Sequence, residues 1–212
     1  MVITMINDPA AVVRRRGRPI AFDRDQVLAL AAEVFWRLGY EGASMPELSA
    51  AMGITVQSLY AAFRSKAELY QQALVHYQRS TGAFAERALR EEADVVDGFL
   101  RLLREAAHEY SLPGRPRGCM ISTATLTCAV ENDAIREFVS ALRANTLQAF
   151  ETHIEQGIAS GQLRADTQAA ALARYIGAII QGMSVQAQDG ADCAALLAIG
   201  ELAGREIQRA RA

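Results

Sequence analysis

Between Ser44 and Glu68 the chain signals three helix starts in a span too short for three free-standing helices. Ser44 precedes Glu47 by three residues with Pro46 between them, the pattern of a capped first turn. Gly53 then stops that helix after about two turns. Thr55 can cap a second short helix carrying Val56, Leu59, Tyr60 and Phe63, and Ser65 with Glu68 repeats the first pattern. Helices this short are unstable alone and must pack on a neighbour. That neighbour is supplied upstream. Asp23 reads as an N-cap, and Val27, Leu30, Ala31, Val34, Phe35 and Leu38 recur at helical spacing up to Gly39. Three helices over residues 23–64, the last two joined by a tight glycine turn, make the pattern of a helix-turn-helix.

The rest of the chain stays helical. Ser65 opens a helix expected to run through Leu69, Ala73 and Tyr77 and on toward Phe84. Val96, Phe99, Leu100, Leu103, Ala107 and Tyr110 form a further stripe, broken by the loop from Ser111 to Gly118. A long helix then carries Ile135, Phe138, Val139, Leu142, Thr146, Phe150, Ile154 and Ile158. Asp166 or Thr167 can cap the next, with Tyr175, Ile176, Ile180 and Met183, and a last helix holds Leu196, Ile199, Leu202 and Ile207. About half of the 212 residues are apolar and only five are proline, which suits an all-α protein able to bury a sizeable core. We expect a basic arm over residues 1–22, a helix-turn-helix domain over 23–68 and a larger helical domain over 69–212. No apolar run is long enough to span a membrane and no secretory leader is evident, so a soluble cytoplasmic protein is expected.

A reading helix that enters the DNA major groove needs short side chains near its N-terminus, so that its backbone can approach the bases. Thr55, Gln57 and Ser58 meet that need, while Val56 can touch a thymine methyl and Gln57 an adenine edge. Ser44, Thr55 and the start of the helix after Ser65 supply three helix N-termini able to attract phosphates. Tyr60 reads either as packed between helices or as a phosphate donor. Lys66 is the only lysine; the other 21 basic residues are arginine. A cation at a helix N-terminus opposes the helix dipole. A solvated surface lysine is one reading, but directly after a helix-turn-helix a phosphate contact explains it better. The net charge of −2 hides an excess of basic over acidic residues in the first 80 positions, nine against seven. Arg14, Arg15, Arg16 and Arg18 make up most of that excess, either as a solvated tail or as an arm reaching the minor groove or backbone.

The segment "FDRDQVLALAAEVFWRLGYEGASMPELSAAMGITVQSLYAAFRSKAELYQQAL", residues 22–74, closely resembles the N-terminal domain of TetR/AcrR-type transcriptional repressors. The shared pattern is Phe35 with Gly39 and Tyr40, the capped "SMPELSAAMG", then "ITVQSLYAAF" and "SKAEL". The resemblance implies that Ser44, Thr55, Gln57, Ser58, Tyr60 and Lys66 stand at DNA-contacting positions. Family members commonly have His or Tyr where this chain has Ala61. It also implies a C-terminal domain that binds a small effector and dimerises through its last two long helices. Phe99, Leu103, Tyr110, Met120, Thr123, Thr127, Phe138, Leu142 and Tyr175 are then candidates to line the effector pocket, each equally readable as core. Their character suggests an apolar or aromatic ligand. Ile176, Ile180, Met183, Leu196, Ile199 and Ala203 are candidates for the dimer interface.

The expected function is therefore a ligand-released repressor, a homodimer on a palindromic double-stranded operator, with no cofactor, metal site or membrane partner. An enzyme is disfavoured by the lack of any GxSxG, HExxH, paired Glu-x-x-His or phosphate-loop motif. A protein-binding adaptor that keeps the helix-turn-helix only as structure is an alternative. A thiol-sensing regulator is another. Cys119, Cys128 and Cys193 lack disulfide or zinc spacing and read as small buried hydrophobes, but Cys119, near Arg115 and Arg117, is placed to be a reactive thiolate.

Overall fold

A computed structural model describes residues 22–212. Nine α-helices fill it: α1 (Arg24–Gly42), α2 (Met45–Met52), α3 (Val56–Phe63), α4 (Lys66–Arg79), α5 (Phe84–Glu91), α6 (Val95–Ser111), α7 (Asp133–Ala159), α8 (Ala169–Gln188) and α9 (Cys193–Gln208). Among the described residues no strand forms, and one isolated antiparallel bridge joins Leu163 to Arg211.

The local signals act as their chemistry dictates. Asp23 accepts from the backbone N–H groups of Asp25 and Gln26, and Ser44 and Glu47 form a reciprocal capping box. Gly53 turns the chain between α2 and α3 at φ 64°, a left-handed conformation that costs a glycine nothing. The serine–glutamate pair at α4 closes only half a box: Ser65 accepts from Glu68 N–H, while the Glu68 carboxylate takes a hydrogen bond from Gln72.

Two expectations change. The helix from Ser65 ends at Arg79 rather than running to Phe84. Ser80 leaves helical geometry, its hydroxyl bonds the His76 carbonyl, and a single 3-10 turn over Thr81–Ala83 leads into the separate helix α5. Neither Asp166 nor Thr167 caps α8: Asp166 pairs with Arg164, Thr167 N–H bonds the Arg164 carbonyl, and the helix starts at Ala169.

Two apolar clusters hold the helices. The first joins Phe35, Ala31, Leu48, Leu59 and Phe63 to Leu69, Tyr70, Leu74 and Tyr77 of α4, so α2 and α3 pack against α1 and α4. The second centres on α6, with Phe99, Leu102, Leu103 and Tyr110 against Phe150, Ile154, Ile176, Met183, Leu196 and Ile207. Each fully buried Leu, Ile or Phe contributes roughly 1.5–3 kcal/mol by leaving water, which lets short α2 and α3 persist. Cys119 packs against both clusters and marks where they meet.

Candidate nucleic-acid interface and effector cavity

Helix α3 divides into two faces. Leu59 and Phe63 are fully buried, whereas Thr55, Gln57, Ser58 and Tyr60 are exposed and Val56 is half-buried. The Thr55 hydroxyl accepts from Ser58 N–H at 3.1 Å and lies 2.9 Å from the Ser58 hydroxyl, so the two form one small polar front. Gln57 projects beside it. Tyr60, at 47 % exposure, is not sandwiched between helices. Ala61 and Arg64 extend the exposed strip, and Arg64 takes a positive φ of 56° at the end of α3.

Lys66 reaches back from α4 to α1. Its ammonium lies 4.7 Å from the centre of the Tyr40 ring and 3.5 Å from the Glu41 carbonyl oxygen, to which it donates. Burial lowers its pKa, while the charges of Glu41 and Glu47 act the other way. The dipole problem is thus met by folding the side chain away from its own helix, over the corner between α1 and α2. There it lies near the Ser44 cap, where two hydrogen bonds from Ser44 hold the Glu47 carboxyl below its usual range. The structure brings Ser44 and Lys66 together at one corner, and Thr55, Gln57, Ser58 and Tyr60 on the neighbouring helix face. Arg14, Arg15, Arg16 and Arg18 lie outside the described residues.

A cavity of about 110 Å³ opens between α4, α5, α6, α7 and α8. Phe84, Leu147, Phe150 and Ile180 supply apolar wall; Tyr77, Tyr110, Cys119, Ser122, Arg143 and Gln181 supply polar atoms. Burial pushes the Tyr77 and Tyr110 hydroxyls well above their ordinary pKa, so both stay protonated donors.

Of the nine pocket candidates, Tyr110 lines this cavity. Phe99 and Leu103 are spent in the core of α6, and Met120 in the first cluster. Phe138 and Leu142 pack on the α1–α4 side, Thr123 bonds Gln188, Thr127 is exposed, and Tyr175 borders an outer groove with Arg164 and Glu206. The wall from α7 is rotated from the expected one. The stripe through Val139 and Phe150 carries Arg143 four residues after the first and seven before the second, a cation on an inward face, and that was the available signal.

Of the interface candidates, Ile176, Met183, Leu196 and Ala203 are buried within the chain itself, Ile180 lines the cavity and Ile199 is half-buried. The outward faces of α8 and α9 carry Ala178, Gly182, Val185, Ala195, Ala198 and Leu202 among other residues, Leu202 being 60 % exposed.

This architecture matches known proteins across nearly its whole length. The family profile described as "Bacterial regulatory proteins, tetR family" matches residues 27–73, and "Tetracyclin repressor-like, C-terminal domain" matches residues 99–196. The HTH-type transcriptional repressor ComR of Escherichia coli is 32 % identical over 92 % of this chain and 94 % of its own. The chain belongs to the TetR family. BdcR of the same organism, also described as an HTH-type transcriptional repressor, is 29 % identical over 91 % of this chain and 92 % of its own. A solved TetR family regulator, a cysteine-substituted CifR complexed with a 26 bp double-strand operator, is 41 % identical with a TM-score of 0.85, covering 89 % of this chain and 98 % of that one. The protein is a DNA-binding transcriptional regulator rather than an enzyme.

Proposed function

We propose that the protein is a repressor that binds a palindromic operator as a homodimer and is released by a small effector taken into the α4–α8 cavity. One observation carries the DNA half of this reading: α3 keeps its bulk inward and presents the short face of Thr55, Gln57 and Ser58 outward, beside the Lys66 corner. Residues 23–68 act as the reader, with Gln57 at a base edge and Ser44, Tyr60 and Lys66 on phosphates. Residues 69–212 act as sensor and dimer contact. The exposed small-residue face of α8 and α9 around Ala178, Gly182, Ala198 and Leu202 suits close helix packing across a two-fold axis. Both curated relatives named above are described as repressors, which supports that sign of regulation.

The test is selection from a random duplex library with the wild-type protein and Gln57→Ala. An inverted repeat with half-sites spaced for two major grooves is expected, with preference relaxed at one position per half-site in the variant. A single unrepeated site would contradict the dimer, and an unchanged preference would remove Gln57 from base reading.

A second reading has one observation in its favour: Cys119 lines the cavity beside Tyr77 and Tyr110. If its thiol senses oxidants, Cys119→Ser abolishes the loss of DNA binding on peroxide treatment. If the thiol only packs, the variant and wild type respond alike.

A further inference from the structure

The cavity wall holds one ionised side chain and no carboxylate: Arg143 stands among tyrosines, serine, glutamine and apolar groups. Among the described residues it makes no ion pair, although arginines elsewhere in the chain pair repeatedly, Arg101 with three glutamates at once. Burial lowers its pKa, Tyr70 acts weakly the other way, and no carboxylate pairs with it among the described residues. Its Nη1 donates to the Ile121 and Ala124 carbonyl oxygens, at 3.2 and 2.9 Å. A guanidinium has five N–H donors, so the remaining ones are unpaired within the described chain. A half-buried cation satisfied only by carbonyl dipoles, facing a cavity, fits an anion supplied from outside.

We propose that the effector is a small apolar carboxylic acid whose carboxylate pairs with Arg143 and competes with the Ile121 and Ala124 carbonyls that this guanidinium now holds. The proposal rests on the reading of this cavity as the effector site and names the ligand's chemistry. A monoanion matches the single cation; a doubly charged phosphate would lack a second one. Phe84, Leu147, Phe150 and Ile180 take the apolar body, and the Tyr77 and Tyr110 hydroxyls are protonated donors within the same wall.

The same residue connects the cavity to the reader. The segment that Arg143 grips contains Thr125, a β-branched residue at φ 43° whose hydroxyl is buried without a partner. That is a strained conformation, kept only because its surroundings impose it. Further along, Ala129 N–H and the Asn132 amide both donate to the Glu41 carboxylate, at 2.7 and 2.9 Å, and the Glu41 carbonyl accepts from Lys66. An anion that draws Arg143 off the two carbonyls lets the segment relax from Thr125 and shifts its anchor on Glu41, at the corner where Lys66 meets the DNA. The ligand's leverage is its preference for the relaxed arrangement.

The experiment is calorimetric titration of the full-length chain with hexanoate, benzoate and phenylacetate, each against its primary amide. It is repeated for Arg143→Gln and Arg143→Lys, with release from the DNA upstream of the gene followed in parallel. Acids are expected to bind roughly tenfold or more tightly than their amides, the worth of one charge-assisted pair. Arg143→Gln is expected to erase that preference and Arg143→Lys to keep part of it, which separates loss of charge from loss of the loop contacts. Equal binding of acids and amides overturns the carboxylate assignment while leaving the cavity as the effector site. Absence of binding by every acid and amide overturns both. A preference that survives Arg143→Gln places the anion elsewhere and also overturns the assignment. Glu41→Ala is expected to keep the preference for acids over amides, which Arg143 sets, and to raise the acid concentration that releases DNA; unchanged release overturns the route through Glu41.

Discussion

Lys66 shows how a single side chain reconciles two demands. At the first position of α4 its charge opposes the helix dipole, yet it gains the Tyr40 ring and the Glu41 carbonyl by turning back across the α1–α2 corner. A phosphate arriving at the Ser44 helix end would meet this ammonium already in place. Lys66→Ala is therefore expected to weaken binding to all duplex sequences by a similar factor and to reduce the salt slope by about one counterion. Parallel salt titrations of both proteins on specific and random duplexes check this, and a sequence-selective loss would contradict the phosphate role. The oddness of this lysine was legible in the sequence because no other lysine is present. Its path over Tyr40 was not, since that depends on how α1 and α4 cross. Arg143 was overlooked for the opposite reason: one arginine among twenty-one carries no compositional signal, and its place on the Val139–Phe150 stripe marks an inward face without showing that a cavity lies there.

At the scale of elements, caps and glycines determined most boundaries in advance, and the misses share a cause. Ser80 bonds back to the His76 carbonyl, and Asp166 and Thr167 are engaged by Arg164, local hydrogen bonds that compete with the helix and that periodicity does not encode. The loop before Cys119 is fixed by a contact between distant segments. Gly118 lies at φ 76°, and a Cβ there would stand 2.6 Å from the Ser184 carbonyl oxygen, while the Ser184 hydroxyl accepts from Cys119 N–H. Gly118→Ala is expected to cost about 1–3 kcal/mol by forcing this loop off α8, measurable as a lower midpoint in urea. An unchanged midpoint would show that the loop yields freely. The α6–α7 packing also carries a pH response. His153 lies 5.6 Å from the Phe99 ring with its buried Nε2 unpartnered, and burial lowers its pKa from the ordinary 6.5. The unfolded chain then binds this proton more readily than the folded one. Its stabilising contribution is complete above the unfolded value near 6.5 and is lost as pH falls through the lower folded value. Melting temperatures are expected to decline on acidification through this range, and His153→Phe to flatten that decline; an equal decline in the variant would assign it to other groups.

For the whole molecule, the architecture was the most legible part and the sensing half the least. The reader is built from local signals, capped turns and a glycine stop, so a short window of sequence specifies it. The cavity is built from five helices drawn from distant parts of the chain, and whether Phe99 or Phe150 faces it depends on rotations of a few tens of degrees. The burial of the interface candidates was hidden for a related reason. Ile176 and Met183 are the bulky residues of α8 and go to the core, leaving alanine, glycine and Val185 outside. In the proposed account a line of hydrogen bonds from Arg143 through the segment at Thr125 to Glu41 and Lys66 joins the cavity to the corner between α1 and α2. The central claim is that this line ends on DNA. The most direct test is equilibrium binding of the full-length protein to the labelled duplex upstream of its own gene, followed by fluorescence anisotropy as salt is raised. The account predicts tight binding at low salt, two protomers per site and an affinity that falls steeply and linearly in log salt, while random duplex binds far more weakly. Absence of binding at low salt, or equal affinity for the random duplex, would contradict it.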